Sequence, residues 1–226
     1  MIKTAQATAY WTPTPADEPN VDAVARHYWD SIDSPQRFWA CEAVALLGGA
    51  ASVLEIGCQS GPNLRALARV WPDIQLQGLD VNRSALAAGR RLAAEAGLTT
   101  VSLHEGVVPE SLIGWSTRSV DVALSVYCLA YIGPNEIVTA VRQLLRIARK
   151  GIVLIEPMAT AQEPAEELST DGSAYVEWRH DYVSILSELA EELPPGEELR
   201  AAILPRQHVA RLNGVVIATR QPEGAV

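Results

Sequence analysis

The sequence is short of cysteine, of positive charge and of long apolar runs. Its three cysteines, Cys41, Cys58 and Cys128, are odd in number and far apart, which excludes a disulfide framework and a Cys-x-x-Cys metal site. They read as free thiols. No stretch approaches the ~20 consecutive apolar residues of a membrane span. Residues 1–20 hold Pro13, Pro15 and Pro19 and lack the apolar run of a signal peptide, so a cytoplasmic protein without a membrane partner is expected. Lys and Arg together number 18 against 27 Asp and Glu, a formal net charge of −9, so nucleic-acid backbones are repelled on average and no nucleic-acid partner is expected. No internal repeat, low-complexity tract or metal-ligand spacing is visible, and the chemistry is expected to be metal-independent.

What is present is a globular composition: 226 residues, 48 % hydrophobic and 20 % charged, enough for one domain with a substantial core. From Val21 to Ile32 and from Pro35 to Leu47 apolar residues recur at helical spacing, the second helix entered through Ser34 as N-cap and left at Gly48-Gly49. Downstream, short apolar runs alternate with longer amphipathic stretches. Strands are expected at 52–56, 75–79, 100–103, 120–126 and 152–155, and helices at 62–70, 84–96 and 134–148. Such alternation implies parallel strands joined by right-handed crossovers, with both sheet faces covered.

Residues 157–173 are acidic, contain Pro164 and Gly172, and read as an exposed loop or insertion beside the ligand edge. A helix over 182–193 stops at Pro194-Pro195-Gly196, and strands at 199–204 and 215–219 read as a closing hairpin. The expected fold class is therefore α/β: a Rossmann-like doubly wound sheet of about seven mostly parallel strands, with a C-terminal antiparallel hairpin and N-terminal capping helices. The chain is read as a single domain, 1–226, divided into an arm with capping helices (1–48), a core (49–156) and an insertion, helix and hairpin (157–226). Within the arm, Tyr10 and Trp11 favour a strap that docks on the body over a free tail.

The sharpest local signal is Val53-Leu54-Glu55-Ile56-Gly57-Cys58-Gln59-Ser60-Gly61-Pro62, in which a buried strand ends in an acid, turns through two glycines and enters a helix. Gly57 permits a tight turn, Gly61 removes a Cβ where a ligand can approach, and the helix start beyond presents unpaired N–H groups. Asp80 follows the next strand, the place where doubly wound sheets put an acid whose two oxygens can accept from a ribose diol. Helix capping, the alternative task for Asp80, is already open to Asn82 and Ser84.

These segments, with Gly78-Leu79-Asp80-Val81-Asn82, Ser119 to Ser125 and Arg149 to Glu156, resemble the class I S-adenosylmethionine-dependent methyltransferases in order and spacing over roughly residues 45–156. The resemblance implies S-adenosylmethionine as cofactor. It places the methionine portion against Glu55, Gly57, Cys58 and Gly61, the ribose on Asp80, the adenine on Val81, and the reacting centre beside Ser125, Val126 and Tyr127. Two positions depart from the family: Gln59 stands where a third glycine is usual, and after the third strand Glu105 is the nearby acid, carried as an adenine contact alongside a solvated-loop alternative.

The function expected is methyl transfer to a small-molecule acceptor, at oxygen. The Asn/Asp-Pro-Pro-Tyr/Phe signature of base- and glutamine-methylating enzymes is absent, and Ser125-Val126-Tyr127-Cys128 stands in its place. His180 is the expected general base for a hydroxyl acceptor. Trp178, Tyr175 and Tyr131 could line the acceptor pocket, and Tyr28, Trp29 and Trp39 could form a lid, plain packing being the alternative for each. His27, His104 and His208 complete the histidines. A homodimer is compatible with the sequence. Two other readings stay open: a catalytically silent binding or regulatory protein, and a nicotinamide-dependent oxidoreductase. Against the latter, neither G-x-G-x-x-G nor Tyr-x-x-x-Lys occurs, and without a G-x-S-x-G elbow a hydrolase is unsupported.

Overall fold

The computed structural model describes residues 18–159, 166–169, 176–204 and 214–222. Its centre is a seven-stranded sheet built from β1 (Ser52–Ile56), β2 (Gln75–Asp80), β3 (Val101–Glu105), β4 (Val120–Val126), β5 (Ala148–Glu156), β8 (Glu197–Leu204) and β9 (Gly214–Pro222). The order is β3-β2-β1-β4-β5-β9-β8. β1 to β5 are parallel, β9 runs antiparallel to β5, and β8 runs antiparallel to β9. The doubly wound sheet and the closing hairpin are thus those expected.

Strand alternation sends successive side chains to opposite faces. Leu54 and Ile56 of β1, Ile152 and Leu154 of β5, and Val216 and Ala218 of β9 enter one core, with α5 (Ile137–Ile147) and α6 (Tyr182–Ala190) laid over it. Val53, Val153, Ile155, Val215 and Ile217 enter the other, under α2 (Pro35–Leu46), α3 (Pro62–Val70) and α4 (Arg83–Glu95). On α5 the buried Ile137, Ala140, Val141, Leu144 and Leu145 form one helical stripe. Each such leucine or isoleucine contributes about 1.5–3 kcal/mol on burial.

α2 ends as its two glycines imply. Gly48 N donates to Ala45 O at 2.9 Å and Gly49 N to Val44 O at 3.1 Å, a Schellman closure that both left-handed φ angles permit. At its start Ser34 accepts from the Arg37 guanidinium at 2.8 Å and makes no side-chain cap bond. α1 (Glu18–Asp30) lies on the flank of the domain. Its Trp29 is buried against Leu92 and Ala93 of α4, with the Arg65 guanidinium 5.2 Å from the ring centroid. Trp39 packs into the second core, and Tyr28 stays exposed. Trp29 is therefore packing and not a lid; Tyr10 and Trp11 lie outside the described residues.

One expectation is corrected. The stretch read as an exposed loop or insertion over 157–173 is not all loop: it contains β6 (Glu166–Ser169), which pairs antiparallel with β7 (Val176–Arg179) in a separate two-stranded ladder. Four residues with two acids carry no apolar alternation, and the ladder depends on backbone bonds to a partner that no local period announces.

Gly89, in the middle of α4, couples this fold to the loop after β1. A Cβ there would stand 2.4 Å from the Ser60 carbonyl oxygen and 2.7 Å from Leu103 Cδ1. Glycine costs a helix interior up to ~1 kcal/mol relative to alanine, and the close crossing over the loop explains its presence. Gly89→Ala is expected to lower stability by about 1–3 kcal/mol, the overpacking cost, in place of the gain that helix propensity predicts; thermal or urea unfolding distinguishes the two signs.

Candidate functional site

Parallel register brings Ile56, Leu79 and Ser125 side by side at the C-terminal ends of β1, β2 and β4. Strand order reverses between β1 and β4, and the crevice outside such a reversal is where open α/β sheets take ligands. The turn that leaves β1 is stitched to β2: Gly57 N and Cys58 N both donate to Leu79 O, at 2.7 and 3.2 Å, and Gly61 N closes the turn on Cys58 O at 2.7 Å. Gly57 and Gly61 have φ of +66° and +85°. At Gly57 the requirement is also spatial, since a Cβ would lie 2.5 Å from Cys128 Cβ.

Gln59, in the place of the usual third glycine, adopts φ +52°, a left-handed conformation that costs a side-chain-bearing residue free energy. Two bonds hold it. Its Oε1 accepts from Ser60 N at 2.5 Å, and its own N–H donates to Asp80 Oδ2 at 2.7 Å. The other oxygen of Asp80 accepts from Asn82 N at 2.8 Å. Asn82 in turn caps α4 through Ala85 N at 2.9 Å, leaving Asp80 out of that task. Desolvation pushes the Asp80 carboxyl above its usual range against those backbone donors.

Beneath the turn, Glu55 is fully buried and accepts from Asn63 Nδ2 at 2.5 Å. Its second oxygen, with Asn63 Oδ1 and Arg37 Nε, is buried without a partner. Desolvation raises Glu55 to about 8, opposed by the Asn63 bond and the Arg37 charge and reinforced by Asp80. An unpartnered buried acceptor beside a glycine turn is a polar atom that lacks its donor. It suits a cationic ligand group.

The remaining sequence-based site residues divide. Val81 is half-buried, one residue past Asp80. The Cys58 side chain is buried, its sulfur packed where a Gly78 Cβ would fall 2.5 Å away, so Cys58 can meet a ligand through the backbone alone. Glu105 pairs with Arg83 Nε at 2.6 Å in an exposed ion pair. Ser125 is fully buried, and its hydroxyl donates to Glu156 Oε1 at 2.6 Å.

Glu156 is an organising residue that sequence reasoning overlooked. It ends β5, as Glu55 stands one residue before the end of β1, and that shared acid near the close of a buried strand was the available signal. Besides Ser125 it accepts from Cys128 N at 2.9 Å, Leu129 N at 3.1 Å and Ala130 N at 3.2 Å, so one carboxylate caps the 3₁₀ turn 129–131. Desolvation outweighs these donors and raises it to about 7. Also overlooked was Glu177 on β7, which accepts from Tyr127 Oη at 2.7 Å and Tyr131 Oη at 3.2 Å. Tyr127 follows β4 directly with φ +54°.

His180 is 1 % exposed, and its Nε2 donates to Ile132 O at 3.1 Å. Burial lowers it to about 4. The ring is a neutral strut between β7 and the 3₁₀ turn, enclosed where a base would have to meet an acceptor. Trp178 is half-buried on the same strand, while Tyr175 and His208 lie outside the described residues. Among the described residues no group of three or more His, Cys, Asp or Glu could hold a metal ion, and no helix is long and apolar enough to cross a membrane.

Residues 53–151 match a family model described as a methyltransferase domain. No curated protein matches the chain in sequence. Among solved structures, an O-methyltransferase family protein from Burkholderia thailandensis is 14 % identical with a TM-score of 0.62, over 91 % of this chain and 59 % of that one. This chain thus spans under two thirds of that protein's length. The 1,6-didemethyltoxoflavin-N1-methyltransferase of the same organism, with 1,6-didemethyltoxoflavin and S-adenosylhomocysteine bound, is 16 % identical with a TM-score of 0.61, over 92 % and 87 %. The cyclase SpnF is 17 % identical with a TM-score of 0.59, over 83 % and 81 %. At these identities the likeness establishes the fold.

The burial of Glu55 has a measurable consequence. A carboxyl held near 8 in the folded chain and near 4.5 when unfolded keeps its proton longer in the folded state, so its contribution to stability is complete below about pH 4.5 and is lost as pH rises through about 8. Glu55→Gln, which can still accept from Asn63, is expected to flatten that decline and to leave the melting temperature unchanged or higher at pH 8. A decline of undiminished slope in the variant would place its origin elsewhere.

Proposed function

We propose that the chain, whose residues 53–151 match a methyltransferase-domain model, is a class I S-adenosylmethionine-dependent enzyme that methylates a small-molecule acceptor at a hydroxyl oxygen. The observation that carries this reading is the Asp80 carboxylate closed on the backbone of the β1 turn, with the unpartnered Glu55 oxygen below it. Both are acceptors gathered at the strand reversal.

S-adenosylmethionine, when bound, supplies a methyl group already activated on a sulfonium. The residues present fit it: Glu55 would take the ammonium of the methionine portion, Gly57 and Gly61 would let that portion approach the backbone, Asp80 would take the ribose hydroxyls, and Val81 would face the adenine. As the O–CH3 bond forms and the S–CH3 bond breaks, the hydroxyl proton passes to water at the mouth of the crevice, and what remains for the protein is orientation, the source of most acceleration when the leaving group is good. Glu156 serves orientation. By capping the 3₁₀ turn it fixes the segment 127–130 against Gly57. We assign His180 to positioning, because its donated bond to Ile132 O holds the 176–182 segment against that same turn.

The acidic balance and the lack of a nucleic-acid-type signature support a small acceptor, and the phenols of Tyr127 and Tyr131 beside the strand reversal support one that donates a hydrogen bond, as a hydroxyl does. A second reading, a silent binding protein on this fold, has one observation in its favour: Gln59 spends its side chain and a strained φ where the family has glycine.

Isothermal titration separates the two. The wild-type chain is expected to bind S-adenosylmethionine, and Asp80→Ala to weaken binding by about 1–3 kcal/mol, the value of charge-assisted hydrogen bonds. Unchanged affinity in the variant removes Asp80 from the ribose site, and no wild-type binding at millimolar ligand favours the silent scaffold.

A further inference from the structure

Three carboxylates stand at the C-terminal ends of parallel strands, Glu55 near the end of β1, Asp80 at the end of β2 and Glu156 at the end of β5, where Glu156 accepts from Cys128 N at 2.9 Å. The fourth, Glu177, is 8 % exposed and takes the hydroxyl of Tyr127, the residue next to Cys128. The buried Glu55 oxygen without a hydrogen-bond partner is a separate polar acceptor at the same end of the sheet.

Resting on the cofactor reading above, we propose that Glu177, acting through Tyr127 and Tyr131, forms the anionic acceptor-side wall of the site, favouring the charged sulfonium of the methyl donor over the neutral thioether product and rejecting anionic acceptors. The geometry supports this in three ways. Tyr127 leaves β4 at the strand reversal, and its N–H is held by Ile155 O at 2.9 Å, so the residue is fixed at the mouth of the crevice. Glu177 sits in β7, outside the parallel strands, and is joined to the end of β4 through the Tyr127 hydroxyl. Each phenol gives its single proton to Glu177, so its oxygen has only acceptor character to offer any other group. Such a wall attracts sulfonium, hydroxyl and amine groups and repels carboxylates and phosphates. It would also speed product release, because the positive charge leaves with the methyl group.

Titration calorimetry of the full chain with S-adenosylmethionine and, separately, S-adenosylhomocysteine tests the wall without knowledge of the acceptor. Glu177→Gln is expected to lower the preference for S-adenosylmethionine over S-adenosylhomocysteine by roughly tenfold, the scale of removing one nearby charge at protein-interior dielectric, while affinity for S-adenosylhomocysteine changes less than about twofold. Tyr127→Phe, which keeps the charge and the ring, should lower the preference in the same direction by less, and it stands in should the glutamine variant fail to fold. Glu192→Gln, beyond α6, controls for net charge and should leave the ratio unchanged. A ratio equal to wild type in both site variants overturns the proposal, as does a parallel loss of both ligands, which would make the Glu177 cluster a structural tie. If the wild type binds neither ligand, the cofactor reading itself has failed, an outcome distinct from an unaltered ratio.

Discussion

Asp80 holds the ligand end of this molecule together. Its two oxygens reach across from the end of β2, one to the N–H of Gln59 and one to the N–H of Asn82. The first bond restrains a left-handed glutamine in the turn after β1, and the second sets the residue that caps α4. Turn, strand end and helix start are thereby referred to one carboxylate. Its low-dielectric setting strengthens those bonds and raises the cost of leaving any oxygen unmatched.

The same economy appears twice more along the sheet. Glu55 closes β1 over Asn63, and Glu156 closes β5 over the turn 129–131. Each is fully buried, and each has its proton affinity raised by desolvation. Buried acids of this kind stabilise a fold poorly, because removing a charge from water costs more than a few hydrogen bonds return. Their concentration at the strand reversal makes sense as preorganisation for a cationic ligand, whose binding supplies the missing partner. Glu156 is the exception in kind. Its acceptors are occupied by the chain, and it holds Cys128 against Gly57 with the separation that a Cβ on Gly57 would abolish.

Away from the strand reversal, the site depends on elements that sequence periodicity does not reveal. The β6–β7 ladder brings Glu177 to two tyrosines separated from it by about fifty positions, and His180 locks the same segment to Ile132. The histidine that position alone suggested as a base is buried and bonded to Ile132 O, and the glutamate three residues earlier accepts from both tyrosines.

By itself, the sequence determined the doubly wound sheet, because alternating short apolar runs and amphipathic helices leave one way to bury both faces, and it determined the glycine turn and Asp80, because left-handed backbone and a strand-end acid are local features. Local chemistry also marked Asn82 and Ser84 as candidate caps of α4, of which Asn82 takes the role, and Gly48-Gly49 as the end of α2. Only the tertiary structure decided where side chains point: Ser125 and Cys58 into the sheet, Glu105 toward Arg83, His180 under a turn, and Glu177 toward Tyr127. The reason is physical. Backbone conformation follows from neighbours in the chain, whereas burial and hydrogen-bond partnership depend on residues brought close by the packing of the whole domain.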